Sequence, residues 1–318
     1  MPSFEVTAFG ETMLRLSVPS GHRLSTMRQL DVHAGGAETN VLGALSSLGR
    51  RCGWVSALPD TDLARFVLRE LAAARIDSSA VVVKEGRVGT YYVEFAAAPR
   101  AVQVVYDRAN ASVSRLTPDD IDWDYLLDTR VLHLTGITAA LSQGCYDTVL
   151  EACRRAKEQR VTVSFDVNYR SKLWSAEAAG EKLEPILKHV DLLVCGERDA
   201  HTMFGVSGAP ETVLQELKDL SGAAHVILTR SDEGSATLIG GELVRVSAGA
   251  AEMVDRLGAG DAFTAGVLDG FLEGDVVEGM KRGTALAGLA LTQYGDMVST
   301  SRAELGRLLE GGQGRLVR

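Results

Sequence analysis

The residues with the clearest chemical potential are two glycines and an aspartate in the second half of the chain. Gly258 and Gly260 flank Ala259, and Asp261 follows directly. The pattern predicts a turn that leads into a helix, and the free N–H groups and the dipole at a helix N-terminus attract anions. Glycine at such a position lets an oxygen-rich group approach the backbone without meeting a Cβ atom. A phosphoryl group fits this arrangement.

Asp261 needs a separate function, because a carboxylate within a phosphate-binding turn repels phosphate. Acceptance of a proton from an attacking hydroxyl is the natural one. The alternative is a helix cap, which these four residues taken alone favour. The dinucleotide fingerprint G-x-G-x-x-G is broken by Phe263, and the sequence contains no G-x-x-x-x-G-K-[ST] loop.

The helix that begins at this turn has to pack closely against the rest of the protein. Phe263, Val267 and Phe271 fall four residues apart and share one helical face. Other residues on the helix are small enough to let a second backbone approach, namely Ala262, Ala265 and Gly266. A second glycine pair, at positions 35 and 36, precedes another helix, whose stop is marked by Gly49. Asn40 lies in the first turns of that helix, where its residue type alone favours a solvated side chain over a ligand contact.

Composition and charge exclude several classes of protein. The chain has 318 residues, of which 46% are hydrophobic and 24% charged, as expected of a globular protein with a large core. Its net charge of -9 and the lack of a Lys/Arg stripe make nucleic acid and anionic membranes poor partners. The cysteines show neither metal-site spacing nor a disulfide framework, which predicts free buried thiols in the cytoplasm: Cys52, Cys145, Cys153 and Cys195.

The order of predicted elements indicates an α/β fold. From residue 131 onward strands and helices alternate, and strands such as 161–165 are apolar on both faces, as in a parallel sheet covered by helices on both sides. Residues 235–246 predict a hairpin. A run of strands between 81 and 106 interrupts the alternation and reads as an inserted small β lid, together with an extended flap at 11–33.

Polar residues gather where the predicted parallel strands end. Asp166, Asn168 and Arg170 follow one strand, the segment 196–199 follows the next, and 229–234 follows another. Ligands of such sheets bind beyond the carboxyl ends of the strands. This clustering favours catalysis over a simple helix cap for Asp261.

The sequence resembles the ribokinase-like sugar kinases, also called the phosphofructokinase B family. The segment G-G-A-E-T-N-V-L-G-A-L-S-S-L-G at 35–49 is similar to the first family signature, and D-R-L-G-A-G-D-A-F-T-A-G at 255–266 to the second. Within the family, Y-D-R-A-N-A-S, H-L-T-G-I-T-A-A-L-S, S-F-D-V-N-Y-R-S-K-L-W and Y-G-D look most like 2-keto-3-deoxygluconate kinases. The resemblance covers nearly the whole chain.

The resemblance implies a role for individual residues. Asp261 is the base, and the N–H groups of Gly258, Ala259 and Gly260 form the anion hole. The implied substrate contacts are Gly35, Gly36, Asn40, Tyr91, Tyr106, Arg108, Arg170 and Asp296. The two arginines would hold a carboxylate, for which their planar donors are suited. An ion pair between Arg170 and Asp166 is the structural alternative.

The resemblance also implies ATP and Mg²⁺ as cofactors and leaves open a monovalent cation such as K⁺. The nucleotide contacts would be Thr229, Arg230, Ser231, Gly234, Gly258 and Gly260. Relatives carry Asn and, three residues later, Glu in the magnesium-water network, where this chain has Gly196 and Asp199. Asp199, acting through water, or Glu197 would take over that function. Arg15 stands where relatives that bind ribose or nucleosides carry an aspartate, and its positive charge suits an acidic substrate.

These inferences predict a ribokinase-like kinase domain over residues 1–310, with a β lid from about 11–33 and 88–108 and a frayed tail at 311–318. The predicted reaction is ATP-dependent phosphorylation of a ketosugar acid, giving 2-keto-3-deoxy-6-phosphogluconate. The alternatives are a kinase of a neutral ketose such as fructose or tagatose, and a non-catalytic sugar-binding protein on the same fold. We also expect a homo-oligomer that pairs through the lid, because Val93, Phe95, Val102 and Val104 would otherwise be exposed at strand edges.

Overall fold

The computed structural model describes residues 2–96, 100–249 and 251–311. The predicted frayed tail therefore lies outside the described residues, apart from Gly311. The strands are β1 Phe4–Phe9, β2 Met13–Ser17, β3 Asp31–Gly35, β4 Cys52–Val55, β5 Ala57–Leu58, β6 Ile76–Asp77, β7 Val82–Val83, β8 Thr90–Glu94, β9 Gln103–Asp107, β10 Thr129–Thr135, β11 Thr162–Asp166, β12 Leu192–Gly196, β13 His225–Thr229, β14 Ser235–Ile239 and β15 Glu242–Val246. The helices are α1 Ala37–Ser47, α2 Asp62–Ala73, α3 Trp123–Leu127, α4 Gly136–Ala139, α5 Gln143–Glu158, α6 Ala176–Leu187, α7 Glu197–Phe204, α8 Pro210–Ser221, α9 Ala259–Leu272, α10 Val276–Leu291 and α11 Arg302–Leu309.

The main sheet has the strand order β15-β14-β13-β12-β11-β10-β1-β4-β6. Neighbours from β13 through to β6 pair in parallel. Within the described part of this sheet the antiparallel pairs are β13–β14 and β14–β15, and the hairpin β14–β15 lies at one edge. The apolar runs of the central strands are buried on both faces, which confirms the predicted mostly parallel sheet.

Helices cover both faces of the main sheet. Helices α3, α5, α6 and α8 contribute buried side chains to the core on one face, and α1, α2, α9 and α10 to the core on the other. All four cysteines are buried free thiols, as predicted. Among the helices of the described ranges, none has both the length and the hydrophobicity of a membrane span.

Glycines bring α9 and α10 into backbone contact. A Cβ atom at Gly266 would lie 2.1 Å from the nitrogen of Gly283, and one at Gly270 would lie 2.3 Å from the Cα of Gly279. The predicted close approach of a second backbone is thus confirmed at Gly266. Because side chains larger than hydrogen do not fit at these two positions, the direction of α9 is tightly fixed.

A second sheet, which we call the β lid, has the strand order β3-β2-β8-β9. Its inner face packs Tyr91, Val93 and Phe95 into a small core, with Val102 and Val104 partly buried against it. The expectation that Val93, Phe95, Val102 and Val104 lie at exposed edges is therefore wrong, because the alternation of the strands directs them inward. The outer face instead exposes Val32 and Val105. Association through the lid stays a prediction.

Candidate active site

The N-terminus of α9 has the geometry of an anion site. Gly258 caps the helix with φ of 81°, in the left-handed region that favours glycine. A Cβ atom at Gly258 would lie 2.1 Å from the carbonyl oxygen of Asp296, whereas one at Gly260 would meet no heavy atom within 4 Å. Packing thus requires glycine at 258, while the space beside Gly260 is open. An oxygen-rich group can approach the backbone there.

Asp261 does not cap its own helix. The residue that caps α9 is Gly258, and the Asp261 carboxylate instead accepts a hydrogen bond from Asn40 Nδ2, at 2.7 Å from its Oδ2. Asn40 Oδ1 in turn accepts from the backbone N–H of Gly36 at 3.2 Å. Asn40 is buried, so the solvated side chain favoured by its residue type alone is wrong. The two glycine-led helices, α1 and α9, meet through this bond.

The environment of Asp261 suits a proton acceptor. Burial raises the pKa of Asp261 to about 8, and the negative charges of Asp166 and Asp296 act in the same direction. The Asn40 hydrogen bond and the positive charge of Arg170 oppose this increase in pKa. A carboxyl group with a pKa near the working pH takes up a proton far more readily than an ordinary aspartate does.

A small cavity of about 80 Å³ lies beside Asp261, between the main domain and the lid. It contains all of the substrate contacts predicted from the resemblance. Its lining is Glu11, Met13, Gly35, Gly36, Ala37, Asn40, Tyr91, Tyr106, Arg108, Ile137, Arg170, Leu257, Gly258, Asp261 and Asp296. Tyr91 OH donates to Asp296 Oδ2 at 2.5 Å, and a Cβ atom at Gly35 would lie 2.3 Å from that hydroxyl oxygen. Glycine at 35 therefore makes room for the lid tyrosine.

The profile of the pfkB family carbohydrate kinases matches residues 3–303. The chain belongs to the pfkB family of carbohydrate kinases. Members of this family are ATP-dependent phosphotransferases, and so is this protein. The alternative of a non-catalytic sugar-binding protein is not supported by this membership.

The kinase is similar over nearly its whole length to proteins with named sugar-acid substrates. It is 38% identical over 309 residues to the 2-dehydro-3-deoxygalactonokinase of Haloferax volcanii, with 97% of each chain covered. It is 29% identical over 301 residues to the 2-dehydro-3-deoxygluconokinase of Bacillus subtilis, covering 92% of this chain and 91% of that one. The crystal structure of the 2-dehydro-3-deoxygluconokinase of Thermotoga maritima superimposes with a TM-score of 0.90 and 30% identity, covering 97% and 98% of the two chains.

The two arginines of the kinase's cavity differ in their partners. Arg108 donates from Nε to Glu11 Oε2 at 2.8 Å, and its Nη2 also donates to this oxygen. Arg170 is exposed, and within the described residues it forms no ion pair with a carboxylate within 4.0 Å. The alternative of an Arg170–Asp166 ion pair is therefore wrong for the described structure. Arg170 keeps its donors available to a ligand.

Glu11 was not found by sequence reasoning. Its side chain is almost completely buried, its Oε1 has no hydrogen-bond partner among the described residues, and burial raises its pKa although Arg108 acts in the opposite direction. A lone glutamate after a first strand carries no signal that could have revealed this. Its pairing with Arg108 joins residues 97 positions apart, which only the fold brings together.

Arg15 does not contribute a free positive charge to the cavity. It is completely buried and does not belong to the described cavity lining. Its guanidinium binds the carboxylates of Asp255 and Asp296. The expectation that Arg15 itself favours an acidic substrate is therefore wrong, because both carboxylates neutralise its charge.

An outer cleft of about 990 Å³ continues from the small cavity. Tyr106, Arg108 and Arg170 line both spaces, whereas Asp261 and Gly258 line only the inner one. The arginines of the kinase thus lie on the side of the cavity that faces the cleft, and the N-terminus of α9 lies on the inner side.

Acidic side chains lie at the carboxyl ends of β11 and β12, towards the predicted nucleotide side. Burial raises the pKa of Asp166 to about 7, with Asp199 adding to this increase. Asp199 Oδ2 accepts from the backbone N–H of Tyr169 at 3.3 Å, and burial also raises its pKa. Mutually repelling carboxylates of this kind fit a divalent cation. The described residues contain no ready group of three metal-ligating side chains, so Mg²⁺ would be held largely through phosphate and water.

The predicted nucleotide loop has well-defined internal contacts. Arg230 Nε donates to Glu197 Oε1 at 2.9 Å, which engages the glutamate suggested as an alternative metal residue. Thr229 ends β13, and Ser231 has φ of 50°. A Cβ atom at Gly234 would lie 2.1 Å from the carbonyl oxygen of Val246, so glycine is required there by packing against β15. Nucleotide binding by these residues stays a prediction.

Proposed function

We propose that the kinase transfers the γ-phosphoryl group of ATP to the primary hydroxyl of a 2-keto-3-deoxy sugar acid, with 2-keto-3-deoxygluconate giving 2-keto-3-deoxy-6-phosphogluconate. The observation that supports this most directly is the arrangement of one cavity. Arg108 and Arg170 line its cleft-facing side, and Asp261 and the α9 N-terminus line its inner side. When the arginines hold the carboxylate of the sugar acid, the primary hydroxyl at the other end of the sugar lies beside Asp261.

The residues act together in an in-line displacement. Asp261 takes the proton of the hydroxyl, the new O–P bond forms, and the bond from phosphorus to the ADP oxygen breaks. The N–H groups of Gly258, Ala259 and Gly260 hold the transferring phosphoryl oxygens. Mg²⁺, when bound, neutralises phosphate charge. The lid residues Tyr91 and Tyr106 exclude water from the reacting atoms.

The configuration at C4 of the substrate is part of the proposal. Gluconate and galactonate derivatives differ at this carbon, and relatives named for each epimer are similar to this kinase. Both epimers share the carboxylate and the primary hydroxyl that the cavity would bind. We therefore expect both to be accepted, and a coupled ADP-release assay that compares them with fructose and tagatose tests the assignment.

Arg170→Ala is expected to raise KM for the sugar acid by about 10- to 150-fold, because a hydrogen bond to a charged group contributes roughly 1.5–3 kcal/mol. KM for ATP should stay nearly unchanged, and KM for fructose should rise only a little. Arg170 is the cleaner test than Arg108, whose removal would leave Glu11 buried without its partner. Arg87→Ala is the matched control, since Arg87 is exposed and pairs with Asp107 at the end of lid strand β9.

The test measures KM by steady-state kinetics for wild type, Arg170→Ala and Arg87→Ala, each with one acidic and one neutral sugar. Equal losses of affinity for the two sugars would show that Arg170 only supports the fold. The acid assignment would then be abandoned in favour of a neutral ketose such as fructose or tagatose.

Asp199→Ala is expected to raise the Mg²⁺ concentration needed for half-maximal rate by roughly 10-fold or more, if Asp199 orients the metal-bound waters. KM for the sugar should change little, because Asp199 does not line the described cavity. A magnesium titration at saturating ATP checks this, with Glu197→Ala as the comparison. An unchanged requirement in Asp199→Ala would transfer the role to Glu197 or to the phosphates alone. A requirement for K⁺ can be measured in the same assay.

A further inference from the structure

Arg15 is the most deeply buried charged group of the β lid. It lies on β2 with its side chain completely buried. Its Nη1 donates to Asp296 Oδ1 and its Nη2 to Asp255 Oδ2, while Nε donates to Ser17 Oγ at 2.9 Å. The guanidinium also lies 5.4 Å from the ring centre of Phe95. One lid side chain thus contacts two segments of the main domain.

Those two segments shape the N-terminus of α9. Asp255 Oδ1 accepts from the N–H of Leu257 at 3.1 Å, and its Oδ2 accepts from the N–H of Gly295 at 3.4 Å. The carbonyl oxygen of Asp296 packs directly against the Cα of Gly258. The Asp296 side chain meanwhile lines the sugar cavity. Displacement of either carboxylate would therefore move the anion site or the sugar contact.

Packing alone does not account for an arginine at this position. Burying a guanidinium is costly, and an apolar residue of similar size would fill the space between lid and domain at lower cost. Burial lowers the pKa of Arg15, but the Asp296 and Asp255 carboxylates outweigh this effect and raise it overall, so the group stays charged. The planar fork of arginine can span two carboxylates at once, which the single ammonium of lysine cannot do in the same geometry.

We propose that Arg15 is a positioning residue for phosphoryl transfer. Because Arg15 bridges Asp255 and Asp296, the position of the lid and the position of the anion site are coupled. The lid strand must be in place for the loop before Gly258 and the sugar-facing Asp296 carboxylate to reach their working positions. The inference rests on the proposed function, in which these two features act on the phosphoryl group and on the sugar.

Arg15→Lys tests the proposal, because lysine keeps the charge but loses the bridge. We expect a folded protein whose kcat falls roughly 10- to 100-fold, as small misplacements of reacting groups cost about this much. Backbone amides in the segment 253–258 should exchange with deuterium faster than in wild type, with no sugar present. Arg23→Lys is the control, since Arg23 is an exposed lid arginine near Glu94, and neither kcat nor exchange should change.

A merely structural role predicts a different result. Arg15→Lys would then have a lower Tm, with kcat and amide exchange in 253–258 close to wild type, and this outcome would overturn the proposal. A double-variant cycle adds a second criterion. In an Asp296→Asn background, Arg15→Lys should lose less activity than in wild type, whereas fully additive losses contradict action through Asp296.

The role of Arg15 can be tested even if the proposed substrate is wrong. If wild type phosphorylates fructose and not the sugar acids, the substrate proposal fails, but the Arg15 comparison is made with fructose instead. The exchange measurement needs no substrate. If the amides of 253–258 in Arg15→Lys exchange at the same rate as in wild type, the inference is contradicted whatever sugar the kinase uses.

Discussion

Asp261→Asn is expected to lower kcat by roughly 10²- to 10⁴-fold, the usual contribution of a positioned proton acceptor. Asparagine keeps the shape of the side chain and can still contact Asn40, but it cannot take up the hydroxyl proton. KM for the sugar acid and for ATP should change much less than kcat. Steady-state kinetics at saturating substrates make the measurement, and turnover within a few-fold of wild type would rule out Asp261 as the base.

The pH dependence of the wild-type kinase provides an independent check of the same residue. The base must be ionised, and the pKa of Asp261 is raised to about 8. Activity of the free enzyme, measured as kcat/KM, should therefore fall about tenfold per pH unit below this pKa. Asp261→Asn should lose this limb of the profile. A wild-type profile that stays flat down to pH 6 would place the proton acceptor elsewhere.

The stability of Asp261→Asn serves as the control for folding. An aspartate whose folded pKa exceeds its unfolded value of about 3.9 opposes folding progressively as pH rises through the interval between the two values. At neutral pH the neutral asparagine removes this unfavourable contribution. We expect the variant to have a Tm at least equal to that of wild type, so that a loss of kcat cannot be attributed to unfolding.

Asp269→Ala is expected to lower the free energy of unfolding by about 3–5 kcal/mol, the cost of removing one partner from a buried ion pair. Asp269 lies on α9, two turns after Asp261, and its side chain is completely buried. It accepts from Arg50 at 2.8 Å, from Arg282 at 2.7 Å and from Arg302 at 2.5 Å. Alanine would leave three guanidinium groups close together without the buried carboxylate that they share.

Chemical denaturation of wild type and Asp269→Ala measures this difference. The control is Glu273→Ala, because Glu273 contacts the same arginines but is 43% exposed, and exposed ion pairs contribute about 0–1 kcal/mol. Equal destabilisation by the two substitutions would contradict a special role of the buried carboxylate. Burial tends to raise the pKa of Asp269, but the hydrogen bonds from Arg302, Arg50 and Arg282 outweigh it and lower the value overall. The stability it contributes is therefore present above the unfolded pKa, and the difference between the proteins should shrink as pH falls below about 4.

Much of the fold and the local chemistry of the site could be predicted from the sequence. The parallel strands, the β14–β15 hairpin and the helix that begins beside Gly258 are confirmed. The backbone geometry of the proposed anion site was also predictable, because its parts are backbone groups of adjacent residues and a glycine whose left-handed conformation closes the turn. The family resemblance then indicated side chains that line the cavity.

Tertiary structure alone decided which charges meet. The bond from Asn40 to Asp261 spans 221 residues, that from Arg15 to Asp296 spans 281, and Arg108 pairs with a glutamate that has no sequence signal. Residue type alone accordingly placed Asn40 in solvent, although the family resemblance put it at the substrate. Arg15 was expected to carry a free charge and Val93 to be exposed. Periodicity and turn residues act over a few neighbouring positions, so they determine elements and local backbone geometry. The burial of a charge and the choice of its partner depend on which surfaces the packed elements bring together, and this is settled only when the chain is folded.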